Sequence, residues 1–339
     1  MKHNFVLAQV IFCALVLFGC KKENGLENPV IPVDPNADLL KVIWSKKGVH
    51  SAFTDLMQFE NQFYCAFREG SSHTSYDGIF RILISPDGLS WNTIGTVSVP
   101  YLDLRDPKFF VDNEGKLSLA GFARDTLDKK YNFVWKLNKT GIGKPHSVGI
   151  TDYWLWRYTK FKNINYSIGY LYKKGGSQKP KLVLFFSSDS GFLRYEVKGA
   201  DIFNKGCPSE ASLVINEDSV AYVCLRDDCA NGAYFGKSKY PFAKWDWTKL
   251  QYPVRGPNMV LLPNGNLILA AGSMKNYYKS YLTEFDPRNL TFKSFEELPS
   301  GGDTGYPGLV LRDSVLWVSY YTQTNDQMQI VIKRKKIVM

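Results

Sequence analysis

The chain has 339 residues, 45% hydrophobic and 22% charged, with 22 Phe, 20 Tyr and 8 Trp. These proportions belong to globular proteins and exclude a disordered or low-complexity polymer. The net charge of +10 comes from scattered basic residues. No helix-turn-helix, zinc-finger or RNA-binding motif accompanies them, so no nucleic-acid partner is expected.

The chain opens with an address. Lys2 and His3 precede an almost wholly apolar run from Phe5 to Leu17. That run is too short to span a bilayer comfortably and fits a secretory h-region. It ends in Leu17-Phe18-Gly19-Cys20, which resembles a bacterial lipobox. That resemblance implies a signal peptide over residues 1–20, acylation of Cys20, and an exported lipoprotein in the periplasm or at the outer membrane or cell surface. Residues 21–38 are rich in Pro, Asn and charge and read as a flexible tether. The folded domain is expected over residues 39–339. No later stretch approaches 18 apolar residues.

Four cysteines remain in that domain: Cys65, Cys207, Cys224 and Cys229. Only Cys224 and Cys229 approach zinc-pair spacing, no second Cys or His pair joins them, and the chain has four His in all. No metal is therefore expected. No phosphate-binding glycine loop is present, so no other cofactor is expected either. Export would permit oxidation, but buried free thiols are the simpler expectation.

From Gln62 onward the signals are those of short strands. Gln62–Phe67, Phe80–Ile84, Lys181–Phe186, Val220–Leu225, Leu267–Ala271 and Leu316–Tyr321 are mostly rich in β-branched or aromatic residues. Turn clusters such as Pro86-Asp87-Gly88, Asn113-Glu114-Gly115 and Pro263-Asn264-Gly265 punctuate them. No amphipathic helix of useful length appears, so the domain is expected to be all-β. The turns recur. Ser85-Pro86-Asp87-Gly88-Leu89-Ser90-Trp91 is followed by Leu137–Gly141, Ser187–Gly191, Ser238–Trp245 and Asp286–Asn289, at intervals of about 51 residues. A period near 50 with several short strands per unit is the mark of propeller blades. Six blades are expected, with five and an N-terminal extension as the alternative.

These turns resemble the Asp-box of sialidases, in which a carboxylate caps backbone N–H groups and an aromatic packs between blades. Further segments extend the likeness over residues 45–339: Ala52-Phe53-Thr54-Asp55-Leu56, Phe67-Arg68-Glu69-Gly70 with His73, Asp103-Leu104-Arg105-Asp106-Pro107-Lys108, Trp154-Leu155-Trp156-Arg157, and Leu298 to Leu309. Together they resemble a group of bacterial sialidase-like proteins of the exo-α-sialidase kind. The resemblance implies a six-bladed propeller that removes a terminal acidic sugar, sialic acid or a related 2-keto-3-deoxy sugar acid, from a glycan. The anomeric carbon of such a sugar carries a carboxylate that repels an anionic nucleophile, so sialidases use a tyrosine instead. By position the resemblance assigns Tyr306 as nucleophile, Glu210 as its base and Asp77 as acid/base. It makes Arg68, Arg105, Arg157 and Arg226 candidate ligands of the substrate carboxylate. His73, Asp106, Trp156 and Asp303 are further candidate substrate ligands. Trp154 and Trp156 read equally as core.

The chain departs from the sialidase pattern in four places, one of them Thr322-Gln323-Thr324-Asn325, which stands where relatives carry a Ser-Ser-His-Glu-like stretch after Tyr-Tyr. The Arg-Ile-Pro that supplies one clamp arginine is replaced by Ala52-Phe53-Thr54. Arg255-Gly256-Pro257 and Gly272-Ser273 stand where relatives read Gly-Gly-Pro and Gly-Arg. Two rival expectations follow: a glycosidase working through two carboxylates drawn from Asp55, Glu69, Asp106, Glu210 and Asp303, or a non-catalytic glycan-binding lipoprotein. The expected partners are a glycan and, through lipid alone, a membrane; a monomer is expected.

Overall fold

Alternating apolar side chains and frequent turn residues produce strands of up to ten residues; there is no helix among the described residues. The computed structural model describes residues 38–171, 181–187, 196–197, 201–229, 232–273, 275–276 and 278–337. Cys20, the signal segment and most of the tether lie outside these, as do Ser188 to Gly191 and Tyr195.

The strands form six antiparallel sheets. The first strands of the blades are His50–Phe59, Asp103–Val111, Tyr153–Phe161, Pro208–Ile215, Val254–Leu261 and Thr304–Arg312. Each packs against the first strands of the blades before and after it, and the sixth packs against the first, so the ring closes. Blades one to five run outward in chain order. Blade six is completed by the N-terminal strand Leu39–Ser45, which pairs with the last strand, Gln327–Lys336. This is the expected six-bladed propeller; the five-bladed alternative is not what forms.

The closure also explains the period. Every recurring turn that the structure describes joins the third strand of a blade to its outermost strand. In the first copy Asp87 Oδ1 accepts the N–H groups of Leu89 and Ser90 at 2.8 and 2.7 Å, and Trp91 Nε1 donates to Gly88 O at 2.9 Å. In the copy at Ser238 the aspartate is absent, yet Trp245 Nε1 donates to Phe242 O at 3.1 Å. At Asp286 the carboxylate accepts the N–H of Arg288 at 2.9 Å. Blade six needs no such turn, because its outermost strand comes from the other end of the chain.

A second repeat is visible only in the register. Each first strand carries a two-for-one β-bulge against the second strand of its blade. The bulged pairs are Phe53-Thr54, Asp106-Pro107, Trp156-Arg157, Ser209-Glu210, Gly256-Pro257 and Tyr306-Pro307. Proline suits the second position in three of them because a bulged residue gives up its ladder hydrogen bond. Phe53, Asp106, Gly256 and Tyr306 adopt φ of +60°, +52°, +56° and +52°. For the three non-glycine residues this left-handed backbone is a strained choice, which persists only where surrounding contacts enforce it.

The cysteine expectation is corrected in part. Cys65 and Cys224 are buried free thiols, but Cys207 and Cys229 form a disulfide with Cα atoms 5.1 Å apart. The bond joins the entry of the fourth blade's first strand to the exit of its second, Val220–Asp227. Asp227 Oδ1 reinforces this join by accepting the N–H groups of Cys207 and Cys229.

Candidate active site

The six bulges deliver the site. Tyr306 is 7% exposed, and its hydroxyl donates to Glu210 Oε1 at 2.7 Å. Arg226 Nη1 lies 2.9 Å from the same oxygen, and the N–H of Gly256 donates to Glu210 Oε2 at 2.6 Å. Arg226 opposes the bulge of its own blade, which is why Glu210 and Arg226 meet although sixteen residues separate them. Burial alone would raise the Glu210 pKa; Arg226, the Tyr306 hydroxyl and the Gly256 N–H outweigh it and hold the carboxyl below its ordinary value. Burial, followed by the charge of Glu210, pushes Tyr306 well above the usual phenol range. The resting pair is thus a neutral phenol bonded to a carboxylate. The phenol can attack only if its proton passes to Glu210 as the new bond forms.

The strained backbone of Tyr306 is held from several blades. Thr54 Oγ1 donates to Tyr306 O at 2.8 Å. Arg157 Nη2 and Asn258 Nδ2 donate to Pro307 O at 3.1 and 3.2 Å. Gly256 lies against the tyrosine ring: a Cβ there would stand 2.8 Å from the ring carbons Cγ and Cδ1. Phe53 packs edge-on against Tyr306 with ring centroids 4.8 Å apart, and Trp156 lies at 5.9 Å.

A cavity of about 650 Å³ opens over Tyr306, with His73, Arg226, Arg255, Lys275 and Asp303 in its wall. Asp303 receives Tyr321 Oη at 3.2 Å and lies 3.6 Å from Arg255 Nη1 and 3.4 Å from His73 Nδ1. Burial would raise its pKa, but His73 and Arg255 hold it below the ordinary carboxylate value. Asp106, from the bulge of blade two, is electrostatically coupled to Glu210 and Tyr306. Its Oδ1 is buried without a hydrogen-bond partner. Burial raises its pKa to about 6, with Lys108 and Arg105 opposing.

Several candidates from the sequence are corrected. Arg68 is fully buried and spends its guanidinium on Asp103, Ser72 O and Ser75 O. Asp103 is a hub, contacted also by Arg105 at 3.4 Å and Arg124 at 3.1 Å. Arg157 bonds Asp55 at 2.7 Å and the carbonyls of Pro257 and Pro307, tying four blades together. Each nitrogen of both guanidinium groups is thus engaged within the protein, and neither arginine lines the cavity. Trp156 is 1% exposed and lies beneath the site rather than in its wall, with Lys108 Nζ 4.8 Å from its ring centre. Asp77 is exposed and accepts the N–H of Ser71. A small burial cost is outweighed by bonds from Ser75 and Ser71, which bring its pKa down to about 2, so it is a poor proton donor. Asp55 and Glu69 are committed to Arg157 and Arg81. Arg105 keeps one long ion pair and sits over Phe53 at 5.0 Å. Sequence reasoning missed Arg255 as a wall residue and Gly256 as a donor; for Arg255 the signal was its place where relatives read Gly.

No family model matches the chain, and no curated protein matches it in sequence. Solved structures do. A protein of unknown function from Dyadobacter fermentans superposes with a TM-score of 0.76 at 18% identity, covering 88% of this chain and 98% of that one. An α-L-arabinanase from Penicillium chrysogenum, complexed with arabinobiose, gives 0.67 at 15%, with 88% and 98% covered. The sialidase of Trypanosoma rangeli gives 0.66 at 14%, covering 84% of this chain. The present chain spans about half of that sialidase, 55% of its length. At such identities the likeness shows a shared fold: an all-β, six-bladed propeller of the sialidase type.

Proposed function

We propose that this chain is a glycoside hydrolase that removes a terminal acidic sugar, sialic acid or a related 2-keto-3-deoxy sugar acid, through Tyr306. The observation that carries the reading is the 2.7 Å bond from the Tyr306 hydroxyl to Glu210, in a buried pocket with Arg226 on the same carboxylate. Tyr306 Oη attacks the anomeric carbon while its proton passes to Glu210, and the glycosidic oxygen leaves with a proton from an acid. Water then displaces the tyrosine, returning a proton to that acid and leaving the phenol to recover its own from Glu210. Asp106 fits the acid's part better than Asp77, being buried, raised to about 6 and coupled to Tyr306.

Arg226, Arg255 and Lys275 in the cavity wall support an anionic substrate. With Ala52-Phe53-Thr54 in place of the Arg-Ile-Pro that supplies one clamp arginine, the substrate carboxylate is held by this set rather than by the sialidase triad. The propeller neighbours that are sialidases and an arabinanase agree with a glycosidase reading. The Cys207–Cys229 disulfide supports an oxidising, extracytoplasmic setting, consistent with anchoring through Cys20.

The test is hydrolysis of a fluorogenic α-sialoside by the purified protein. Tyr306→Phe and Glu210→Gln should each lower turnover by roughly 10³-fold with folding intact. Turnover that survives Tyr306→Phe overturns the tyrosine mechanism. It would favour the two-carboxylate reading, for which the coupling of Asp106 to Glu210 is the supporting observation.

A further inference from the structure

Histidine is scarce in this chain, with four in all. His146 lies exposed on a short strand of blade two, whereas His50 packs against His73, a residue of the cavity wall, with ring centroids 5.1 Å apart. They arrive from different places. His50 begins the first strand of blade one, and His73 sits in the loop after that blade's second strand, Gln62–Gly70. Asp303 joins them from the residue before the first strand of blade six. One imidazole nitrogen from each histidine and one oxygen of Asp303 lie within 4.8 Å of one another.

Two further observations point to a ligand. First, His50 Nδ1 is buried and bonds to no other residue, and an unsatisfied buried nitrogen calls for an explanation. Second, the Asp303 carboxylate is oriented: Oδ1 takes the Tyr321 hydroxyl and the Arg255 contact, and Oδ2 is turned to His73. Such outer contacts are what fix ligating carboxylates in metal sites.

We propose that His50, His73 and Asp303 form a binding site for a borderline divalent cation of the zinc class. Two imidazoles and one carboxylate suit such an ion and do not suit calcium or magnesium, which favour all-oxygen shells. Ligands about 2.1 Å from a tetrahedral ion stand roughly 3.4 Å apart, so the trio must close by about an ångström. The His73 side chain is 40% exposed and on a loop, which leaves it able to make that move. Nearby cationic charge is offset: Arg68 is paired with Asp103 at 2.8 Å, and Arg255 Nη1 lies 3.6 Å from Oδ1 of Asp303. His73 and Asp303 also line the Tyr306 cavity, so a fourth coordination position faces that cavity and would accept a ligand oxygen. The site does not depend on the glycosidase reading.

The test is calorimetric titration of Zn²⁺ into the untagged, chelator-treated full-length protein, with visible absorption on Co²⁺ addition as a second readout. The expected result is one saturable ion per chain, with a Co²⁺ spectrum of tetrahedral nitrogen and oxygen ligation. His73→Ala and Asp303→Asn should weaken Zn²⁺ binding at least tenfold, while His146→Ala leaves it unchanged. His73→Ala, on an exposed loop, should unfold at the wild-type temperature. Absence of saturable uptake by the wild type, or uptake undiminished in His73→Ala, overturns the proposal. Neither readout uses sugar turnover, so failure here is distinct from failure of the proposed hydrolysis.

Discussion

Tyr306 illustrates how much one side chain owes to others. Its phenol is useful only while Glu210 stays ionised, and Glu210 stays ionised because Arg226 and two hydrogen-bond donors outweigh its burial. Asp106 is the opposite case, a carboxyl that burial holds partly protonated near pH 6. If it is the proton donor, kcat/KM falls as pH rises through about 6, and a pH–rate profile should show that limb. Asp106→Asn should lower activity at least a hundredfold, whereas Asp77→Asn should change it less than threefold. Stability gives an independent check. A carboxyl whose folded pKa is raised favours folding below its unfolded pKa near 3.8, and that contribution is lost as pH rises through about 6. Asp106→Asn should therefore be more stable than wild type at pH 7–8, by at most about 3 kcal/mol, and lose that advantage below pH 4, as read by denaturant titration. Tyr306 and Glu210 were legible in the sequence because the motifs around them survive. Arg68 and Arg157 were misread because the partners that bury them, Asp103 and Asp55, lie 35 and 102 residues away. A lone arginine in a sequence does not reveal whether its nitrogens are already spent.

At the scale of single elements, the bulged first strand is the unit that builds the site. Six strands share one irregularity, and the blades fill it in turn with Phe53, Asp106, Trp156 and Arg157, Glu210, Gly256 and Tyr306. The turns of the blades were visible in the sequence because turn chemistry is local. The bulges were not, because a bulge is a mismatch between two strands and neither strand shows it alone. Gly256 is where this matters most. Gly256→Ala would place a methyl against the Tyr306 ring and strain a backbone at φ +56°. It should lower kcat at least tenfold and destabilise the fold by about 1–2 kcal/mol, measured by steady-state kinetics and thermal unfolding. The disulfide acts on the neighbouring pair. Because Cys207–Cys229 joins the strand carrying Glu210 to the strand carrying Arg226, reduction should cost about 3 kcal/mol of stability. Cys207→Ser should also lower kcat/KM more than Cys65→Ser, since Cys65 is a buried free thiol away from that join.

For the whole molecule, the decisive feature is the closure of blade six. Leu39–Ser45 covers the edge of Gln327–Lys336, and Trp44 contributes a ring 5.9 Å from Phe67 with Arg81 at 4.2 Å over it. Removing residues 39–45 should lower the unfolding temperature and promote self-association through the bared edge, detectable by light scattering. The blade number was legible because about 300 residues at a turn period near 51 make six units. The source of the sixth blade's outermost strand was not, since Leu39–Ser45 is apolar but carries no mark of a distant partner. That partnership also sets a clock. Val42 pairs with Val331, roughly 290 residues later in the chain. During synthesis Leu39–Ser45 emerges before the other strands of the ring and waits for its mate until the first five blades have been made. Early blades can form as local hairpins within microseconds to milliseconds, but ring closure must follow the arrival of the last strand. Folding should therefore end in a single late step that locks the whole circle, and a chain released before residue 327 would keep its blades yet never become a finished ring.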